Sequence, residues 1–191
     1  MAAIVYVHGF NSNGRSAKVA KIRQAFPDYA VHAPDLSHVV EPTVQTLRDL
    51  MLPLLAEHHG DVTVVGTSMG GFWADWLSHE YGVKALLINP AVNPAVDLLK
   101  YAGEVVGGRT WTQADCEDYR WLSFGNRIES MRLMVALDDT VCPAQRALDK
   151  YQERVVCRVY ESGGHRFDDY DAIITELAAL INSEVLGDAN Q

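Results

Sequence analysis

The stretch from Val62 to Gly71, VTVVGTSMGG, constrains the fold of this chain more than any other. Its β-branched residues predict a short buried strand, and the pattern Gly-x-Ser-x-Gly follows at once. This order is typical of a nucleophile elbow, a sharp turn from a strand into a helix with Ser68 at its tip. Gly66 and Gly70 stand two positions before and after the serine, where side chains would collide in such a turn. An ordinary glycine-rich turn has the same letters, so the rest of the chain has to supply a base, an acid and an oxyanion hole.

Composition and charge argue against several classes of function. The 191 residues predict a single domain over 1–191, and the hydrophobic share of 48% is enough for a substantial core. The net charge of −9 disfavours nucleic acid and anionic membrane surfaces as partners. The first residues lack the basic segment of a signal peptide, and no apolar run reaches membrane-spanning length.

The cysteines point to a reducing compartment. Cys116, Cys142 and Cys157 are few, odd in number and without the spacing of a metal site. We therefore expect a cytoplasmic protein with no metal and no cofactor, while the oligomeric state stays open.

Segments typical of strands alternate with segments typical of helices. The alternation predicts an α/β fold whose mainly parallel sheet has about six strands and helices on both faces. The predicted strands are 4–7, 29–33, 62–65, 84–88, 132–137 and 155–160. The predicted helices begin near Ser16, Pro42, Met69, Ala144 and Asp168. Pro53 is expected to kink or split the second helix, and residues 186–191 are expected to form a loose tail.

Residues 95–130 differ from the rest, since short helical and glycine-rich pieces replace the regular alternation. Aromatic residues recur there without a clear period, at Tyr101, Trp111, Tyr119, Trp121 and Phe124. Hydrolases with a nucleophile elbow insert lids between strands, so the segment is interpreted as a small lid or pocket wall. A loop-rich covering of the core is the alternative.

Three loops that follow predicted strands carry the residues of a possible catalytic triad, Ser68, Asp138 or Asp139, and His165. The order nucleophile, acid, histidine is that of the α/β-hydrolases. The loops at this edge of a parallel sheet come together in space, where ligands also bind. An imidazole can take the serine proton near neutral pH, and a carboxylate fixes its tautomer. We therefore predict Ser68 as the nucleophile and His165 as the base.

Asp139 is the better candidate for the acid. In this fold the acid commonly occurs as Asp-x-Val-x-Pro, which fits Asp139 but leaves Asp138 one residue early. Asp138 is then expected to hydrogen-bond its own turn, and Cys142 to be a packing residue. The backbone amides of Phe10 and Met69 are the predicted donors of the oxyanion hole.

Two further features near the first strand have both a structural and a functional interpretation. His8 follows the strand directly and precedes a glycine, so we expect it to brace the loop rather than act as a base. Arg15, Lys18, Lys21 and Arg23 cluster around the start and the outer face of the first helix. They form either a solvated face or a weak attraction for an anionic substrate.

With these residues in place, the chain resembles the YqiA/YcfP-like family of small bacterial esterases. The resemblance spans most of the chain and is carried by YVHGFNS at 6–12 with SAK at 16–18, GTSMGG at 66–71, NPAV at 89–92 and GGHRF at 163–167. It implies a compact α/β-hydrolase that lacks the first two strands of the larger fold. It also implies hydrolysis of carboxylic esters or acyl thioesters through Ser68, Asp139 and His165.

The departures from the family pattern lie close to the triad. Thr67 and Met69 replace the usual serine and leucine, and Asp138-Asp139 replaces Gly-Asp. Residues 95–130 match least, so substrate choice does not carry over. The leading hypothesis is a serine hydrolase that forms an acyl-enzyme with a small ester or thioester. There are two alternatives. The protein could be a binding module that keeps the fold without turnover, or it could use the same triad for other acyl or C–C bond chemistry.

Overall fold

A computed structural model describes residues 2–125 and 130–183 of the chain. Six parallel strands form the main sheet, as the sequence predicts. The strands of the described residues are β1 Ala3–Val7, β2 Ala30–His32, β3 Val62–Thr67, β4 Lys84–Ile88, β5 Val105–Val106, β6 Arg109–Thr110, β7 Met131–Ala136 and β8 Val156–Tyr160. The main sheet has the order β2-β1-β3-β4-β7-β8, and the two-stranded antiparallel hairpin β5-β6 lies outside it.

Seven α-helices lie within these described ranges. They are α1 Ala17–Ala25, α2 Val40–Glu57, α3 Met69–Tyr81, α4 Pro94–Asp97, α5 Gln113–Glu117, α6 Ala144–Tyr151 and α7 Tyr170–Ile181. In the part of the chain that the structure covers, every helix is too short or too polar to cross a lipid bilayer. The predicted tail at 186–191 lies outside the described residues.

The centre of the sheet is buried on both faces because its inner strands alternate between two hydrophobic layers, whereas the edge strands β2 and β8 are more exposed. On β1, Val5 and Val7 belong to a layer with helices α2, α3 and α6, while Ile4 and Tyr6 face α1 and α7. Such double burial produces the continuous apolar runs by which the strands are recognised in the sequence.

The chain reverses its winding direction between β1 and β3. From β1 the strand order runs to β2 on one side and to β3 and β4 on the other. At such a switch point the loops after the two central strands diverge to opposite faces and leave a crevice. The loop after β1 carries Phe10 and the loop after β3 carries Ser68, so both lie at this crevice.

Two glycines allow α3 to approach the sheet closely. A Cβ atom on Gly66 would lie 1.9 Å from the Gly70 carbonyl oxygen. A Cβ atom on Gly70 would in turn lie 1.9 Å from the Val7 carbonyl oxygen. These distances leave no space for any side chain, so the start of α3 is locked against both β1 and β3.

One expectation about α2 is corrected. Pro53 does not split this helix, which runs without interruption from Val40 to Glu57. Proline removes a single amide donor, and Pro53 lies on the exposed side of the helix, where water can satisfy the carbonyl left without a partner. The apolar positions Leu47, Met51 and Leu54 hold the helix on the sheet through the proline.

The close approach at Gly70 gives a stability prediction. Gly70→Ala should destabilise the fold by more than about 4 kcal/mol, because the new methyl group meets backbone atoms that cannot move aside. Gly107→Ala is the matched control, since Gly107 has φ +59° with no atom within 4 Å of the added Cβ. It should cost only the left-handed penalty of about 1–2 kcal/mol. Urea unfolding of the two variants measures the difference, and equal losses would contradict the steric account.

Candidate active site

Ser68 sits at the tip of the predicted elbow. Its backbone has φ +58° and ψ −122°, a strained conformation for a residue with a side chain. The structure holds it by hydrogen bonds from the Ser68 amide to the Ile88 carbonyl at 3.0 Å and from the Ala91 amide to the Ser68 carbonyl at 3.0 Å. The elbow is therefore anchored to β4 as well as to α3, and the serine side chain lines two surface cavities.

His165 and Asp139 are in direct contact. The His165 Nδ1 atom lies 2.9 Å from Asp139 Oδ2 and 3.1 Å from Oδ1. Asp139 is 4% exposed, and its Oδ1 also accepts the amides of Val141 and Cys142 at 2.8 and 3.0 Å. Burial alone would raise the pKa of Asp139, but the hydrogen bonds from His165 and the two amides more than offset this, and the net pKa lies below its ordinary value. The carboxylate is thus kept ionised beside the imidazole.

Ser68 and His165 share the walls of the same two cavities. In residues 2–125 and 130–183, no hydrogen bond joins the Ser68 hydroxyl to the imidazole. Catalytic hydrogen bonds are often long before substrate binds and tighten in the complex. The sequence-predicted serine, histidine and aspartate therefore converge on one site, with the histidine–aspartate pair already formed.

Asp138 has a different function from the one expected. Instead of bonding its own turn, its carboxylate accepts the Gly164 amide at 2.8 Å and the Gly163 amide at 3.3 Å. These glycines directly precede His165, and their backbone is too distant in sequence to have been foreseen as a partner. The two neighbouring aspartates therefore hold the same loop in two ways. Asp139 contacts the His165 imidazole, and Asp138 accepts the backbone amides of Gly163 and Gly164.

Asn89 is a site residue that the sequence reasoning did not assign. Its buried side chain donates from Nδ2 to the Gly164 carbonyl at 2.9 Å and to the His165 carbonyl at 3.3 Å. Its Oδ1 accepts the Ala136 amide at 2.9 Å, at the end of β7. The asparagine, which directly follows β4, is thus hydrogen-bonded to the end of β7 and to the loop after β8. The sequence signal that could have identified Asn89 is its position as a polar residue directly after an apolar strand and just before Pro90.

Two histidines fix the orientation of the Gly9 carbonyl. The Leu36 amide donates to His8 Nε2 at 2.8 Å, so the proton of the neutral ring sits on Nδ1, which lies 2.8 Å from the Gly9 oxygen. The Trp73 indole donates to His38 Nδ1 at 3.3 Å, so the other nitrogen carries the proton and donates to the same oxygen at 3.1 Å. Because a trans peptide holds its C=O and N–H in opposite directions, the Phe10 amide points away from both rings.

Both histidines are buried and neutral. His38 is 2% exposed, and burial together with the neighbouring His8 ring lowers its pKa to about 3. Burial likewise lowers the pKa of His8 below its ordinary value. The structure therefore gives His8 the bracing function expected from the sequence. His38, whose carbonyl accepts the Tyr119 hydroxyl, was not singled out, because no local motif marks it.

The segment after β4 forms a wall of the site. Leu98, Lys100 and Tyr101 line a cavity of about 200 Å³ with Ser68 and His165. The Phe10 ring packs against Tyr101 at 5.0 Å and edge-on against Trp111 at 4.9 Å, between ring centroids. The predicted aromatic residues thus clamp the loop that carries Phe10. Residues 126–129 of the predicted insertion lie outside the described residues, and a mobile lid stays a prediction.

Cys142 belongs to the only group of possible metal ligands in the described residues. Ligand atoms of Asp139, Cys142 and His165 lie within 4.8 Å of one another. Burial, together with the nearby Asp139 charge, raises the pKa of the Cys142 thiol to about 12, and the neighbouring Ser68 hydroxyl opposes this rise only in part. Metal ligation requires a thiolate, while Asp139 is already engaged by His165 and two amides. The group in this state is therefore poorly suited to holding an ion.

Comparison with known proteins places this chain in a family. The model of the family described as "Uncharacterised protein family (UPF0227)" matches residues 3–182. A UPF0227 protein from Shewanella woodyi is 26% identical over 98 residues, which cover 50% of this chain and 55% of the relative. The chain thus matches about half the length of this curated relative.

Solved structures of other proteins share the fold at low sequence identity. Est1E from Butyrivibrio proteoclasticus superposes with a TM-score of 0.71 at 12% identity, covering 95% of this chain and 89% of Est1E. The mouse alpha/beta hydrolase domain-containing protein 10 gives a TM-score of 0.67 at 18% identity, covering 94% of this chain and 89% of the mouse protein. The family resemblance seen in the sequence is confirmed: this chain belongs to UPF0227, the YqiA/YcfP family, and has the α/β-hydrolase fold.

Proposed function

We propose that this protein is a serine hydrolase that cleaves small carboxylic esters or acyl thioesters, with Ser68 as nucleophile, His165 as base and Asp139 as acid. The observation that carries the proposal is the 2.9 Å contact between His165 Nδ1 and Asp139 Oδ2 in a site whose cavities Ser68 also lines. The strained elbow supports it as well, since such strain occurs at functional sites.

The proposed reaction has two steps. The Ser68 oxygen attacks the carbonyl carbon while His165 takes the hydroxyl proton, and the Phe10 and Met69 amides stabilise the oxyanion. The imidazolium then gives its proton to the departing alcohol or thiol, which leaves an acyl group on Ser68. Water attacks this acyl-enzyme in the same way, so the free acid is released and the serine is restored.

The dimensions of the site favour small substrates. The two cavities beside Ser68 measure about 330 and 200 Å³. Pockets for drug-sized ligands span roughly 300–1,000 Å³, so each cavity is at or below the lower limit. A cytoplasmic location is part of the proposal and is supported by the three free cysteines in the described chain.

Ser68→Ala provides the direct test. Labelling by a fluorophosphonate probe should disappear, and turnover of short p-nitrophenyl esters should fall by about 10³-fold or more, because the nucleophile is lost. Ser37→Ala is the matched control, since this exposed serine only accepts the Val39 amide, and it should keep both signals. Labelling that survives in Ser68→Ala, or wild-type protein without Ser68-dependent turnover, would contradict the proposal.

His38 provides a test of the oxyanion hole. His38→Ala removes one of the two donors to the Gly9 carbonyl, so the Phe10 amide should lose its fixed direction and kcat should fall about 10- to 100-fold. KM should change much less, since the effect is on the transition state.

His38→Gln is the matched variant for this test. Residue 38 has φ +60°, and alanine and glutamine meet the same backbone constraint there, so the comparison isolates the side-chain donor. A glutamine amide can reach the Gly9 oxygen in place of Nε2 and should restore part of kcat. Equal kcat values for both variants, at equal melting temperature, would rule out the positioning effect.

A further inference from the structure

The two cavities beside Ser68 differ in chemistry. The smaller one is lined by apolar residues such as Met69, Leu98 and Val141, and its two charged residues, Asp97 and Lys100, are opposite in sign and leave no net charge. The larger one, of about 330 Å³, extends from Ser68 and His165 between the loop after β1, the start of α1 and the loop before α7. Its walls carry hydroxyl groups and charges and include Tyr6, Ser12, Ser16, Lys18, Arg166 and Tyr170.

Lys18 places a largely buried cation in the wall of the larger cavity. Only 8% of the residue is exposed. The ammonium donates to the Arg166 carbonyl and, at 3.3 Å, to Asp168 Oδ1. An ammonium has three donors, so these contacts leave one for a ligand. Burial lowers the pKa of Lys18, against the opposing effect of Asp168, and a bound anion would offset that desolvation.

The charge of this cavity is opposite to that of the chain as a whole. Its lining carries two cations, Lys18 and Arg166, and both rely on one carboxylate, Asp168, at 3.3 and 3.8 Å. One positive charge is therefore left over locally, whereas the complete chain has a net charge of −9. The buried Lys18 ammonium attracts an anion more strongly than a fully solvated charge does, and the exposed Arg166 guanidinium adds a second, more screened charge.

The start of α1 adds to the same field. Ser16 caps this nine-residue helix by accepting the Val19 amide at 3.4 Å, and Ala17 and Lys18 form its first turn on the cavity wall. The first amides of a helix have no partner within the helix, and the helix dipole is positive at this end. The other basic residues of the sequence cluster do not contribute, because Lys21 and Arg23 are exposed and outside the cavity lining, and Arg15 pairs with Asp35 at 3.6 Å in solvent.

We propose that the larger cavity binds an oxyanionic group of the substrate, a carboxylate or a phosphate, so that anionic esters or thioesters are the preferred substrates. This inference rests on the proposed serine hydrolase function. Lys18 is the buried contact, Arg166 supplies a second charge at the mouth, and the hydroxyl groups complete the polar wall. The smaller cavity, whose two charged residues offset each other, accepts the uncharged part of the substrate.

Matched ester pairs test this preference and distinguish the sources of the anion. 4-Acetoxybenzoate and 4-acetoxyphenyl phosphate are compared with phenyl acetate, and monoethyl succinate with ethyl butyrate. One charge-assisted contact should raise kcat/KM about 10-fold for the anionic member of at least one pair. The responding pair identifies whether the acyl or the alcohol side enters the cavity. Added 0.5 M NaCl should lower the ratio of kcat/KM for the anionic ester to kcat/KM for its neutral partner. A ratio near one in every pair would overturn the inference.

Two variants and one control localise the effect. Lys18→Met keeps the aliphatic stem without the charge, and Arg166→Gln changes a side chain that is 85% exposed and so does not endanger folding. Both should bring the ratio of anionic to neutral kcat/KM toward one. Lys21→Gln on the exposed side of α1 should leave the wild-type ratio unchanged. Ratios unaffected by both cavity variants would overturn the assignment.

A binding measurement separates this inference from the proposed function. Ser68→Ala protein is titrated with 4-acetoxybenzoate and with phenyl acetate by calorimetry. The anionic ester alone should bind measurably, and adding Lys18→Met or Arg166→Gln should weaken it about 10-fold. If wild-type protein shows no esterase activity while this binding is seen, the hydrolase proposal fails and the anion site stands. Equal binding of both esters, or binding insensitive to both substitutions, would refute the anion site whether or not esters are cleaved.

Discussion

The close backbone contact of α3 with β1 and β3 is the constraint on which the site depends. It requires hydrogen atoms in place of side chains at Gly66 and Gly70, because any Cβ there would meet a carbonyl oxygen at 1.9 Å. The contact forces the chain through a strained conformation at Ser68 and brings the start of α3 beside the loop after β1. Since the winding direction of the sheet reverses at the same place, the tight turn and the crevice coincide.

Two histidines beside the crevice are buried in neutral form and act as positioning donors. His8 and His38 both donate to the Gly9 carbonyl, and Trp73 and the Leu36 amide fix which nitrogen of each ring carries the proton. Such a network is costly if one member is missing, because the remaining buried groups are left without a hydrogen-bond partner. Its stiffness is the physical reason for the proposed precision of the Phe10 amide.

The sequence predicts the features that local physical chemistry determines. Strand and helix segments, the elbow at Ser68 and the cap at Ser16 follow from side-chain spacing, glycine placement and capping, and all appear close to their predicted positions. The triad order follows as well, since parallel topology brings the loops after the strands together. The contact of Asp139 rather than Asp138 with His165 agrees with the spacing of Asp-x-Val-x-Pro.

Contacts between segments distant in sequence could not be predicted in this way. Asn89 bonds to the His165 loop 75 residues away, and His38 acts on Gly9 from a loop without any motif. The bonds of Asp138 to Gly163 and Gly164 are of the same kind. Each of these groups has local alternatives in the sequence, such as an Asx turn for Asp138, and only the assembled sheet makes the distant partner the available one.

The basic residues at the start of α1 differ in their environments, which shows why composition is a poor guide to local ligand recognition. Arg15, Lys18 and Lys21 look equivalent in the sequence, yet helix geometry turns Lys18 alone inward to the cavity that Ser68 lines. A net negative chain can therefore present a positive site, since field strength depends on burial and local pairing rather than on total charge. Under the proposed function, Ser68, Asp139 and His165 would determine which bond is attacked, whereas the walls of the two cavities beside them would determine which molecules reach the serine. Catalysis and selectivity would then depend on different parts of the sequence, and the second could vary without disturbing the first.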